Sequence, residues 1–304
     1  NKFVLKFLDL VEDKKYLLFV HPNGWRKPES EKSKYKNLFE LMTKENQMLY
    51  LEIHDNKDGI KNFHCGTRYD WYLIHKKPAY KITIIKDEKG IINNIDLSKW
   101  YFLPNYLFTE INKIININKN NDNIIFNRTN YGTDSKHVIH LKNNEYKYTL
   151  IHSTNKKGVR YYYSSKNNNG HFGIKKVIFG ESGINNAIID ENGEYGMTQG
   201  CMGIPFDNIN ESYKIKKAIE SILFKNILQA CSWSNFRIDW RLFTYFKKDF
   251  YEHILNLEHD NTSMISIIPK KDKICCNAII KSTGLNCNNE AKYGEFCGRH
   301  KPKK

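Results

Sequence analysis

The stretch Tyr16-Leu17-Leu18-Phe19-Val20-His21-Pro22-Asn23-Gly24-Trp25-Arg26-Lys27-Pro28 narrows what this chain can become. Tyr16 to Val20 is an apolar run of strand length, rich in residues that suit a pleated surface. His21-Pro22-Asn23-Gly24 should end it, because Pro22 has no N–H for a ladder and Asn23-Gly24 favours a reversal. A strand that is apolar at every position is expected to be buried on both faces, as in the parallel sheets of α/β proteins. Ligands of such sheets sit beyond the carboxyl ends of the strands, where His21, Asn23 and Trp25 would fall.

The flanking sequence extends this pattern. Phe3, Val4, Phe7, Leu8 and Val11 recur at helical spacing. Ser30 to Lys44 reads as a second helix, with Ser30 as its N-cap and Tyr35, Leu38, Phe39 and Met42 on its apolar side. Met48 to Ile53 reads as a strand, Asn56 to Asn62 as turn material, and Arg68 to His75 as a returning strand. The expected order is half of a doubly wound sheet that ends in an antiparallel pair.

Residues 1–76 resemble the C-terminal half of the catalytic domain of adenine-N6 DNA methyltransferases of the restriction–modification type, the gamma class, in which a target-recognition domain follows the catalytic one. The likeness is carried in order by Tyr16–Pro22 with Trp25-Arg26-Lys27-Pro28, by Met48–His54, and by Thr67–His75 after the turn Asn62-Phe63-His64-Cys65-Gly66-Thr67. It extends to about residue 255. The implied fold is α/β: the C-terminal half of a Rossmann-like methyltransferase sheet, followed by a mixed α+β recognition domain. The implied cofactor is S-adenosylmethionine and the implied partner is double-stranded DNA. The family's Gly-rich turn for that cofactor and its Asn/Asp-Pro-Pro-Tyr/Phe loop for the adenine amino group do not occur here. With Asn1 falling inside an expected helix, the chain reads as a fragment or as one polypeptide of a split enzyme. The missing N-terminal half, on the same or a separate polypeptide, then becomes a partner.

Lys and Arg number 48 against 33 Asp and Glu, a formal charge of +15. With 13% aromatic residues, that balance suits a polyanion, nucleic acid first. The abundance of Asn, Ile and Lys equally fits codon bias. No run is long enough to span a membrane and no signal peptide is visible. Seven cysteines without a secretory signal suit a reducing compartment, hence an intracellular location, the cytoplasm of a microbial or virus-infected cell.

Three regions are expected: residues 1–98 from the catalytic domain, 99–268 as the recognition domain, and 269–304 as a tail. In the second, strands are expected near Lys147–His152, Arg160–Tyr163, Val177–Phe179 and Ala187–Ile189. One helix is expected over Ser212 to Cys231, with Cys231 in its core. The aromatic run Trp233 to Phe250 either packs the domain or faces DNA.

The resemblance makes Phe63 the residue that stacks on an adenine flipped out of the duplex; otherwise it is an ordinary turn aromatic. His21 and Asn23 either line the pocket or merely form the turn. Methyl transfer to an exocyclic amine needs positioned reactants and no protein nucleophile. For DNA contact, Lys156, Lys157, Arg160 and Tyr162 stand in a basic and aromatic segment, with Lys175, Lys176 and Arg237 as further candidates. No nuclease constellation is apparent, Asp190 with Glu194 being an isolated pair.

The tail has the ligand types of a structural zinc site, Cys276, Cys287, Cys297 and His300, with Cys275 able to replace Cys276. It looks like the short Cys3His tails attached to assorted viral and phage-like proteins. A segment this short has no core, so bound Zn2+ would supply its folding energy. Two functions are expected: part of a site-specific adenine-N6 methyltransferase, or a non-catalytic DNA-binding specificity module that docks a catalytic partner.

Overall fold

Residues Tyr16–Pro22 form the first strand, β1, and its burial alternates along its length. Leu17 is 8% exposed, whereas Tyr16, Leu18 and Val20 are 60%, 65% and 52% exposed. The expected burial on both faces is therefore not found. The reason is position: β1 is the edge of a five-stranded mixed sheet of order β1-β3-β2-β4-β5. The strand also runs two residues farther than expected, through Pro22, which sits opposite Tyr69. Proline is tolerated there because the strand is at an edge.

The computed structural model describes residues 2–265 except 30, 31, 34, 127–130, 132–135 and 234–236, with side chains through 259. Helix α1 (Lys2–Leu10) precedes β1. Helix α2 (Leu38–Glu40), β2 (Gln47–His54), helix α3 (Asn56–Phe63), β3 (Tyr69–His75), β4 (Thr83–Lys86) and β5 (Ile92–Ile95) follow. Strand β3 lies between β1 and β2 and is antiparallel to both, so β1 and β2 run in the same direction. Strand β4 adds parallel to β2, and β5 closes the far edge.

One face of this sheet is covered. Phe19 of β1 meets Phe7 of α1 at 5.5 Å, and Tyr72 of β3 meets Trp25 at 5.9 Å between ring centroids. Met48, Leu51, Ile53, Ile74 and Ile85 complete that buried layer. The opposite face carries Leu18 beside Leu73, Tyr50 on the other side of Leu73, and Val20 beside Trp71. None of those residues is buried.

The expected helix over Ser30–Lys44 is much shorter. Asn37 takes a left-handed conformation (φ 63°), so helix begins only at Leu38 and passes at once into a π turn, Leu41–Glu45. Its apolar residues Leu38, Phe39 and Met42 are buried as expected, while Ser30 lies outside the described residues.

In the remainder, α4 (Phe108–Ile114) leads to β6 (Val138–Ile139), β7 (Tyr148–Asn155), β8 (Gly158–Ser164), β9 (Lys176–Gly180), β10 (Gly183–Asp190), β11 (Gly196–Met197) and β12 (Cys201–Pro205). They form two sheets, β10-β9-β12 and β11-β7-β8-β6. The single helix expected over Ser212–Cys231 is two, α5 (Ile209–Glu220) and α6 (Ile222–Ala230). Ser221 breaks them, and its hydroxyl caps α6 by accepting from the Phe224 N–H. Cys231 is core as expected. The aromatic run is core as well: Trp233, Phe243, Tyr245 and Phe246 are buried, and so is Phe250, which opens α7 (Phe250–Ile265).

Contacts group Asn1–Glu258 into one unit and His259–Lys304 into another. The expected division at 98/99 crosses a shared core that runs from Val4 to Ile254. A buried polar joint fastens it. Arg26 Nε donates to Asp70 Oδ2 at 2.8 Å, Nη1 to the Leu103 and Pro104 carbonyls, and Nη2 to Asn105 Oδ1. Asn105 then donates to the Ser232 carbonyl, and Trp233 Nε1 donates to the Leu103 carbonyl.

Candidate nucleic-acid interface

The carboxyl ends of β1 and β2 lie at one end of the sheet, because Tyr69 is opposite both Pro22 and His54. The connection from β2 to β3 crosses that end. Residues expected as turn material form α3 instead. Asp55 caps it by accepting from the Asp58 N–H, and His64 ends it in a left-handed conformation (φ 54°). Gly59 lets the helix lie on the chain that follows: a Cβ there would stand 2.3 Å from the Thr67 carbonyl oxygen and 2.8 Å from that of Cys65.

Phe63 is the last residue of α3 and is 56% exposed. Its ring sits edge-on to Tyr69 at 4.9 Å, and Tyr69 stacks on His54 at 4.5 Å with the planes 3° apart. Asp58 holds this group together, accepting from the Tyr69 hydroxyl and pairing with His54 Nδ1 at 2.8 Å. The hydroxyl bond holds the Asp58 carboxyl below its ordinary range. Burial, then the Asp58 bond, push the Tyr69 hydroxyl up to about 12. The result is an aromatic step that rises from a half-buried base to an exposed Phe63. Sequence reasoning found Phe63 but missed His54, Asp58 and Tyr69. His54 ends β2 and Asp58 stands in the first turn of α3, so their meeting depends on the tight β2–α3 junction, which no spacing rule in the sequence marks.

His21 and Asn23 lie at the same end but do not face solvent. His21 is 6% exposed, and burial lowers its imidazole to about 4. Asn23 is 3% exposed and donates to the Trp233 carbonyl at 2.8 Å. Asn23 serves the joint between the two parts of the core, so the expectation that its side chain lines a pocket is corrected.

The expected DNA-contacting residues separate into groups. Lys156 and Lys157 form the exposed β7–β8 turn. Arg160 is exposed on β8, its guanidinium 5.5 Å from the Tyr162 ring centre. Tyr162 itself is 5% exposed, stacked on His152 at 4.2 Å and met edge-on by His140 at 4.4 Å. It cannot present a ring to a base, and Tyr161, 42% exposed, is the outward neighbour. Burial, with Arg160 and His140 adding to it, lowers the His152 imidazole. Lys175 is exposed just before β9.

Lys176 is fully buried, and its expected DNA contact is corrected. Its ammonium donates to Asp190 Oδ2 at 2.7 Å and to the Ile174 and Tyr195 carbonyls. Burial pushes that ammonium down, and Asp190 opposes the shift. Asp190 also accepts from the Glu194 and Tyr195 N–H groups, so it is a structural anchor.

Arg237 and Lys156, 81 positions apart in the numbering, line one open cleft of about 370 Å3 together with Lys225 and Gln229 of α6. Sequence reasoning did not single out Lys225 or Gln229. Their i, i+4 spacing puts them on one face of α6, but nothing in the sequence brings that face to the β7–β8 turn.

Among the described residues, no group of three or more His, Cys, Asp or Glu is placed to hold a metal ion. Cys276, Cys287, Cys297 and His300 lie outside the described residues. No described helix is long and apolar enough to cross a membrane. The sequence matches no protein-family model and no curated protein.

Proposed function

We propose that this chain is part of a site-specific adenine-N6 DNA methyltransferase, supplying the base-stacking aromatic and the DNA-reading surface. The observation that carries it is the exposed Phe63, raised on Tyr69 and His54 at the carboxyl end of two parallel strands, where ligands of α/β sheets bind. Phe63 would stack on the extruded adenine, and binding would hold the exocyclic amine in place for transfer.

The sheet supports the same assignment. In the family that residues 1–76 resemble, β1 would pair on its free side with a strand from the preceding half. Here that side of β1 has no partner strand among the described residues. The exposed Leu18 and Val20 beside it suit coverage by the rest of a doubly wound domain.

The described residues do not form a site for S-adenosylmethionine. The sequence lacks the family's Gly-rich cofactor motif, Gly180-Glu181-Ser182-Gly183 after β9 being a plain hairpin turn, and Asn23 and Arg26 are engaged in the buried joint. Cofactor and acceptor loop would come from sequence outside this chain. The tail residues Cys276, Cys287, Cys297 and His300 have the donor set of a structural zinc site, and we assign them that role.

The test is transfer of a labelled methyl group from S-adenosylmethionine to duplex DNA, by the protein that joins this chain to an Asn-Pro-Pro-Tyr/Phe half. Transfer is expected. Phe63→Ala should cost about 1–3 kcal/mol of transition-state binding, roughly 5- to 150-fold in kcat/KM, with Phe63→Trp retaining most of it. Sequence-specific DNA binding without methyl transfer by that joined protein would replace this function with the specificity module, which the lack of both motifs in this chain favours.

A further inference from the structure

The cleft beside α6 brings together cations from three places in the chain. Lys156 comes from the β7–β8 turn, Lys225 from α6, and Arg237 from the segment after it. Leu228 and Ile238, both partly exposed, contribute apolar surface to the lining. The β7–β8 turn is held in place, since the Asn186 side chain donates to the Asn155 carbonyl at 2.7 Å.

The charge balance of the cleft is positive. Neither Lys156 nor Lys225 has an ion-pair partner among the described residues. Arg237 gives Nη1 to Glu181 at 2.7 Å, yet its side chain stays 61% exposed. Asp239, the carboxylate in the lining, is already committed to Arg241. Like charges converging on one concave surface repel each other, and an anion lying among them relieves that repulsion.

We infer that this cleft seats a phosphodiester strand of duplex DNA, with Lys156 and Lys225 neutralising phosphates and Arg237 held at the rim by Glu181. The open shape suits a strand lying along it, and the partly exposed Leu228 and Ile238 suit the sugar faces between phosphates. The cleft sets register on the duplex and reads no sequence. This deepens the function proposed above and rests on DNA being its substrate.

The test uses the full chain, a labelled duplex and a salt titration. The variant Lys156→Ala/Lys225→Ala removes two exposed side chains and leaves the Glu181–Arg237 pair intact. A charge-matched control, Lys6→Ala/Lys113→Ala, removes two exposed lysines that do not line the cleft. Thermal melts establish that both variants remain folded. The cleft variant should weaken binding about tenfold or more near 0.1 M salt, and should lower the slope of log K against log salt by roughly 2, at about 0.9 per phosphate contact. The loss should be the same for unrelated duplex sequences. A cleft variant indistinguishable from the control in both affinity and slope overturns the inference. So does a loss confined to one sequence, because phosphate contacts carry none. Methyl transfer is measured separately. A chain that binds duplex through Lys156 and Lys225 but belongs to no active methyltransferase keeps the cleft and loses the enzyme; an active enzyme with an unaffected cleft variant does the reverse.

Discussion

An arginine taken wholly out of water must find an oxygen for each of its nitrogens, and Arg26 meets four of them: Asp70 Oδ2, the Leu103 and Pro104 carbonyls, and Asn105 Oδ1. Both members of its ion pair are 0% exposed. Breaking such a pair from one side strands the other charge and typically costs about 3–5 kcal/mol. Arg26→Met should therefore lower the urea midpoint sharply. Arg26→Lys should not rescue it, because a point ammonium cannot reach the forked set of acceptors. Arg26→Met with Asp70→Asn should recover part of the loss, since the stranded charge is gone while an acceptor for Trp25 Nε1 is retained. Equal stability of Arg26→Met and the parent would refute the role. The sequence made Asn23-Gly24 legible as a reversal and Phe63 as the aromatic in the connection before the returning strand. It could not reveal that Arg26 is buried, because the acceptors come from residues 70 and 103–105. Tyr162 and Lys176 were misjudged for the same reason. They stand in basic, aromatic stretches, but His152, His140 and Asp190 enclose them from elsewhere in the chain.

At the level of elements, apolar runs were the readable part. The expected positions of β1, β2, β3 and the β7 to β10 strands fall on observed strands, with shifts at the ends. Helices were harder where polar residues build them. Helix α3 reads as turn because Asn, Asp and Gly dominate it, and its stability comes from the Asp55 cap, the left-handed His64 and tight contact with residues 65–67. Gly59 shows that contact most directly. Glycine to alanine within a helix ordinarily gains about 1 kcal/mol. Here the added Cβ meets two backbone oxygens, so Gly59→Ala should lower Tm instead, by an amount matching about 1–3 kcal/mol of overpacking. A raised or unchanged Tm would mean that α3 moves freely over the segment beneath it. The break at Ser221 was hidden differently, since apolar spacing continues through it and only the serine hydroxyl marks a new start.

Over the whole unit Asn1–Glu258, the most consequential surface is the open side of the five-stranded sheet. Leu18 and Val20 lie at its edge, and α1 exposes Phe3 and Leu10 at 75% and 63%. An apolar edge with an unpaired ladder recruits other chains. The isolated protein should associate with rising concentration and bind an apolar dye. Leu18→Lys/Val20→Lys should reduce both in sedimentation and fluorescence, with little change in Tm because neither side chain is in the core. A parent chain that sediments as a dye-free monomer at all concentrations would rule out the edge as a docking surface.

The Arg26 joint also bears on how such a molecule can be recombined. A segment grafted in at residue 99 from another protein would have to bring the Leu103 and Pro104 carbonyls and the Asn105 side chain into register, along with Trp233 to cover them. Residues 99–258 are thus not an exchangeable cassette. If the proposed DNA-reading role holds, new specificity would have to arise in place, by substitutions on the outer surface, while the seam beneath stays fixed.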